Sequence, residues 1–111
     1  MSISIKGFNE EFITLYCDEA DLSVGDFATV TSSFTVSTAT SGSGFAGIVD
    51  SISDGYAVVQ VKGYLESACD DTVVVGCHRL SADGSTLTLD EESGREALVM
   101  SVEDNVAAII I

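Results

Sequence analysis

The end of the chain repeats its middle, and that duplication constrains the fold more than any single residue does. Gly44 to Val61 reads GFAGIVDSISDGYAVVQV, and Gly94 to Ile111 reads GREALVMSVEDNVAAIII, fifty residues later and without a gap. Five of the eighteen aligned positions are identical: Gly44/Gly94, Val49/Val99, Ser51/Ser101, Asp54/Asp104 and Ala57/Ala107. Four more exchange one aliphatic for another, at Ile48/Leu98, Ile52/Val102, Val59/Ile109 and Val61/Ile111. Each copy reads as strand, tight turn, strand. The turn pairs Asp54-Gly55 and Asp104-Asn105 tolerate the positive φ that a two-residue hairpin demands, and apolar runs flank both.

With one slipped residue the repeat extends upstream. Val24-Gly25-Asp26, then Val30, a turn-like stretch and Val36, align with Val75-Gly76-Cys77, then Leu80, the Asp83-Gly84 turn and Leu87. Two copies are too few for a solenoid or propeller, which needs about three stacked units. The expectation is an all-β domain over 1–111: a small barrel or sandwich of two tandem pseudo-symmetric repeats, 22–63 and 73–111. Residues 1–20 lie outside the pattern, as an extended N-terminal arm or as a first strand. A chain of 111 residues buries roughly two-thirds of its unfolded surface in one core and is too short for two independent ones.

Strand alternation supports the same class. Ala57, Val59 and Val61 form one face against Tyr56, Val58, Gln60 and Lys62, and Leu98, Met100 and Val102 stand against Val99, Ser101 and Glu103. The final run, Val106 to Ile111, is apolar on both faces, so it is expected to be central or covered by another subunit. As an uncovered edge it would be prone to aggregation. Val106, Ala108 and Ile110 are therefore the candidate oligomer contact. In the N-terminal segment, Ile3, Ile5, Phe8 and Phe12 are candidate apolar anchors for a partner, because an extended arm can add a strand to a partner sheet.

Eighteen acidic residues against four basic ones give a formal net charge of −14, which repels a phosphate backbone or an anionic membrane surface. Lys6, Lys62, Arg79 and Arg95 form no stripe, so neither a nucleic acid nor a membrane is an expected partner. Like charge keeps copies apart in solution, and the acidic loops also offer a docking face to a basic surface. No basic-then-apolar leader opens the chain, and Cys17, Cys69 and Cys77 are an odd number, which together suit a soluble protein made in a reducing compartment. The cysteines read as small core residues.

Chemistry-bearing patterns are sparse. Ser81 to Thr86 lacks the alternating ligands of a calcium loop, and Asp83-Gly84 is accounted for by turn formation. Cys77-His78 has no neighbouring thiol or imidazole to complete a metal site. The single His78 has no nucleophile elbow or phosphate-cradling helix start to work with. Neither a metal, a cofactor nor an enzymatic activity is expected.

Val24-Gly25-Asp26, Phe45-Ala46-Gly47-Ile48-Val49, Gly55 to Tyr64, Leu80 to Ser85, and Ser93-Gly94-Arg95 with the valine-rich last hairpin resemble the small decoration, or cement, proteins of tailed-phage and prophage capsids. The resemblance covers roughly Leu22 to Ile111. It implies a non-enzymatic virion protein, made in the bacterial host cytoplasm, that binds the major capsid protein on the outer surface of the head, commonly as a trimer. The alternatives are another virion part, such as a tail-tube or head-fibre component, and a cytosolic small-ligand-binding barrel.

Overall fold

A computed structural model describes residues 10–18, 22–40, 42 and 44–111. Its ten strands are β1 (Glu11–Cys17), β2 (Phe27–Ser32), β3 (Thr35–Thr38), β4 (Gly47–Ser53), β5 (Tyr56–Lys62), β6 (Tyr64–Cys69), β7 (Gly76–Asp83), β8 (Thr86–Leu89), β9 (Arg95–Glu103) and β10 (Val106–Ile110). The protein is all-β and built from two repeats, and each repeat closes its own five-stranded barrel. The orders are β1-β3-β2-β4-β5 and β10-β6-β8-β7-β9, so β6 to β10 take the places of β1 to β5. The two halves thus pack side by side and do not interleave in one sheet.

Matching registers make the correspondence concrete. β1 runs parallel to β3 with Tyr16 opposite Thr35 and Cys17 opposite Val36, while β6 runs parallel to β8 with Ala68 opposite Thr86 and Cys69 opposite Leu87. Antiparallel pairs β1/β5 and β6/β10 complete the two closures. Residues 11–17 are therefore the first strand of barrel one. The proposed arm anchors Ile3, Ile5 and Phe8 lie outside the described residues.

Both hairpins foreseen from the repeat are present. Asp54 and Asp104 take φ of 51°, with Gly55 at 79° and Asn105 at 60°, the left-handed region these residue types enter most readily. A register shift recurs at the same place in each copy. Val49 pairs with Val59 and Ser51 with Val58, leaving Asp50 bulged; Val99 pairs with Ile109 and Ser101 with Ala108, leaving Met100 bulged.

That bulge corrects the expected face of β9. One extra residue switches the side on which the chain presents its side chains. Ala97 and Val99 point inward before the bulge and Val102 after it, whereas Leu98 is exposed. Ala57, Val59, Ala107 and Ile109 are fully buried in the return strands.

The core divides unevenly. Leu22, Ala28, Val36, Val49, Ala57 and Val59 fill barrel one. A larger cluster fills barrel two with Leu65, Leu80, Leu87, Val99 and Ile109, and it also takes in Phe27, Ala39 and Phe45 from the first half. Two aromatic rings from barrel one, Phe27 and Phe45, 4.6 Å apart and tilted 56°, thus belong to the core of its neighbour. Burying large rings at the junction supplies apolar contact beyond what a short linker between separate domains provides.

Candidate interaction surfaces

The junction between the barrels is held by polar contacts around that aromatic pair. Arg95 Nη1 donates to the Ala46 carbonyl and Nη2 to the Val61 carbonyl at 2.5 Å, and the guanidinium lies 6.0 Å from the Phe45 ring centroid. Burial lowers the pKa of Arg95, yet a guanidinium stays cationic. Gly63 and Ile111 exchange two backbone hydrogen bonds of 3.1 Å each. The β7–β8 turn reaches across: Gly84 accepts from the Phe27 N–H and donates to the Ala39 carbonyl, both at 2.9 Å. Buried Gln60 donates to Lys62 and Tyr64 carbonyls at 3.2 and 3.0 Å, fixing the crossing from β5 to β6. Two side chains that the sequence left unassigned, Arg95 and Gln60, thus set how the repeats meet. The signal for Arg95 was its alignment with Phe45, an arginine at an apolar position of the repeat.

Barrel one carries an exposed apolar face. Phe12 and Tyr16 are exposed on one side of β1, and Tyr16 packs on Tyr56 of β5 with centroids 5.2 Å apart and planes tilted 34°. Beyond Tyr16 lies the β2–β3 turn, where Phe34 is 73% exposed at a φ of 56° and its carbonyl accepts from the Tyr16 N–H at 2.8 Å. A bulky aromatic in the left-handed region is strained, and here the strained residue also presents its ring to solvent. Of the four proposed arm residues, Phe12 is the one within the described residues, and it belongs to this face.

In barrel two the proposed oligomer residues sit differently from the expectation. β10 pairs with β9 on one side and β6 on the other, so Val106, Ala108 and Ile110 do not form an edge. They face outward from a closed barrel. Val106 and Ala108 line a shallow groove of about 250 Å³ with Glu66, Glu103 and Asp104. Ile110 instead lines a larger groove of about 470 Å³ with Cys77, Ala97, Leu98, His78, Arg79, Glu91 and Glu96.

Charged groups partly close this second groove. Glu91 Oε1 accepts from the Arg79 backbone N–H at 2.8 Å and lies 3.4 Å from His78 Nδ1, while Arg79 Nη2 lies 3.7 Å from Glu96. Behind them the Asp90 carboxylate accepts from Ser81 Oγ at 2.6 Å and from the Ser93 N–H at 2.9 Å, bonds that hold its pKa below the ordinary value. Cys69 is buried as foreseen, and burial, then Asp70 and Asp71, push its thiol pKa up, which keeps it protonated. Cys17 is partly buried, and Cys77 is exposed in the groove, so the expectation of a core residue fails there. Cys77 and His78 alternate sides along β7, yet both reach the groove rim.

No protein-family model matches the chain, and no curated protein matches it in sequence.

Proposed function

We propose that this protein is a non-enzymatic decoration protein of a tailed-phage head, binding the major capsid protein on the outer surface of the shell and acting as a trimer. The observation that carries the reading is the exposed aromatic face of Phe12, Tyr16 and Tyr56 on a doubly closed, doubly repeated scaffold. Closed barrels leave no strand edge to template unwanted pairing, and the buried aromatic junction locks the repeats together, properties that suit a reinforcing part. The formal charge of −14 opposes non-specific aggregation at high concentration and steers the protein towards basic surfaces. The resemblance of Leu22 to Ile111 to capsid cement proteins points the same way. Repeated modest contacts around a shell gain from effective concentration, so each interface need not be large.

The test is co-sedimentation with empty expanded heads assembled from the major capsid protein of the same genome. Saturable binding at a fixed copy number per capsomer is expected, with Tyr16→Asp reducing the bound fraction at least about tenfold if the face is an energetic centre. Deleting residues 1–9 tests the arm separately. No binding to expanded heads or to immature shells would sink the reading and favour a tail component or a ligand-binding barrel.

A further inference from the structure

The contact between the barrels is one-sided: of its two counterparts, the turn is exposed and the backbone pair is partly exposed. In barrel one, Ala39 N–H donates to the Phe27 carbonyl at 2.8 Å, and the Gly84 turn of barrel two clasps this pair through both its N–H and its carbonyl. The same pair exists in barrel two: Asp90 N–H donates to the Arg79 carbonyl at 2.9 Å. There the Arg79 N–H is met by a side chain, Glu91 Oε1, standing where a turn carbonyl stands in barrel one. The counterpart of the Gly84 turn is Ser33-Phe34, between β2 and β3, and it projects into solvent with Phe34 at its tip.

We infer that a second copy of this chain docks here: the Ser33-Phe34 turn of one copy clasps Arg79 and Asp90 of the next, and the Phe34 ring enters the groove of Cys77, Ala97, Leu98 and Ile110. The internal junction is the template for this contact, since it joins the corresponding turn to the corresponding backbone pair within one chain. Glu91 leaves the Arg79 N–H to the incoming Ser33 carbonyl; the Asp90 carbonyl, which now accepts from Gly94, has a second lone pair for the incoming Ser33 N–H. The released Glu91 carboxylate is already more than half exposed, so it rehydrates with little penalty.

Charge agrees with the geometry. Phe27 to Val49 is a run of twenty-three residues without one charged side chain in a molecule of formal charge −14. Two such molecules repel wherever acidic faces meet, and the uncharged stretch that carries Ser33-Phe34 avoids that penalty. It approaches a groove where Arg79 and His78 stand beside Glu96 and Glu91, and brings no carboxylate of its own to them. Each copy offers one turn and one groove, so the contact is heterologous and propagates, closing into a ring when the rotation per step divides a full turn. This inference is independent of head binding, because purified protein alone reports it.

The experiment is sedimentation equilibrium over a concentration series for the wild type, Phe34→Gly, Glu91→Ala and, as a baseline, Val24→Ala at another exposed apolar position. The wild type is expected to associate as concentration rises. Phe34→Gly removes the anchor and relieves the positive-φ strain, so association weakens at least about tenfold while the thermal midpoint does not fall. A merely structural phenylalanine would lower the midpoint instead. Glu91→Ala frees the Arg79 N–H and tightens association. A wild type that stays monomeric throughout, or association unchanged in either Phe34→Gly or Glu91→Ala, overturns the inference.

Discussion

Replacing Arg95 by alanine removes a side chain that reaches from barrel two to two carbonyls of barrel one and lies against the Phe45 ring. A hydrogen bond involving a charged group contributes about 1.5–3 kcal/mol, and the two carbonyls of Ala46 and Val61 lose their partner together. The ring contact adds about 0.5–1 kcal/mol. Water reaching the opened site compensates part of this, which leaves an expected loss of about 3–5 kcal/mol. For a domain of this length about 1 kcal/mol displaces the thermal midpoint by about 4 °C, so Arg95→Ala should lower it by about 12–20 °C. Arg95→Lys supplies a point charge without the planar fork and should recover less than half of the loss. Differential scanning calorimetry reads both variants and also reports cooperativity. Since Phe27, Ala39 and Phe45 share a core cluster with barrel two, the wild type should melt in one transition. An Arg95→Ala midpoint within about 4 °C of the wild type would refute the assignment of Arg95 as the tie between repeats.

The paired glycines of the repeat should differ in tolerance. A Cβ on Gly94 would meet the Leu80 nitrogen at 2.6 Å and the Arg79 carbonyl carbon at 2.8 Å, whereas one on Gly44 would meet the Ser93 carbonyl oxygen at 3.1 Å. Gly94→Ala should therefore cost about 2–3 kcal/mol and Gly44→Ala less than about 1 kcal/mol in thermal or urea unfolding, and the reverse order would contradict the packing described. Acid stability should depend on Asp90, whose folded pKa is depressed by Ser81 Oγ and the Ser93 N–H. Its contribution is complete above the ordinary aspartate value of 3.8 and is lost as pH falls through the lower folded value. Asp70 has the same sign, because burial opposes ionisation there but the hydrogen bonds from Thr72 and Thr88 outweigh it. Urea midpoints of Asp90→Asn should lie below the wild type at neutral pH and converge with it below pH 3.8; parallel curves would reject the linkage.

Much of the scaffold was legible from the repeat because hairpin chemistry is local. Asp54-Gly55 and Asp104-Asn105 declare their turns, and Ala57/Ala107 and Val59/Ile109 declare the buried face of each return strand. Residues 1–20 read equally as an arm or as a first strand, and 64–72 fell in neither repeat, for a reason of spacing. β1 and β6 correspond at fifty-two residues, as Cys17-Asp18 and Cys69-Asp70 show, whereas the hairpins correspond at fifty. The hairpins at fifty and the Val-Gly strands at fifty-one left the N-terminal segment unmatched, because it needs a second slipped residue. The closure of each half on itself was also hidden, because it depends on parallel pairing between strands distant in sequence, which no local pattern encodes. The β9 face was misjudged at Met100 for a related reason: a bulge inverts alternation without altering composition.

The interaction surfaces were less legible than the fold. Phe34 sits in a Ser/Thr-rich turn that resembles any polar loop, and its prominence comes from its left-handed backbone and its place beside Tyr16. Val106, Ala108 and Ile110 drew attention as a hydrophobic strand, yet β6 and β9 already satisfy that strand on both sides.

Electron cryomicroscopy of expanded heads saturated with the protein tests the central proposal most directly. The account predicts regularly spaced density on the outer surface that fits pairs of five-stranded barrels, with the face of Phe12, Tyr16 and Tyr56 turned towards the shell. An outer surface identical to that of undecorated heads at saturating protein would contradict it.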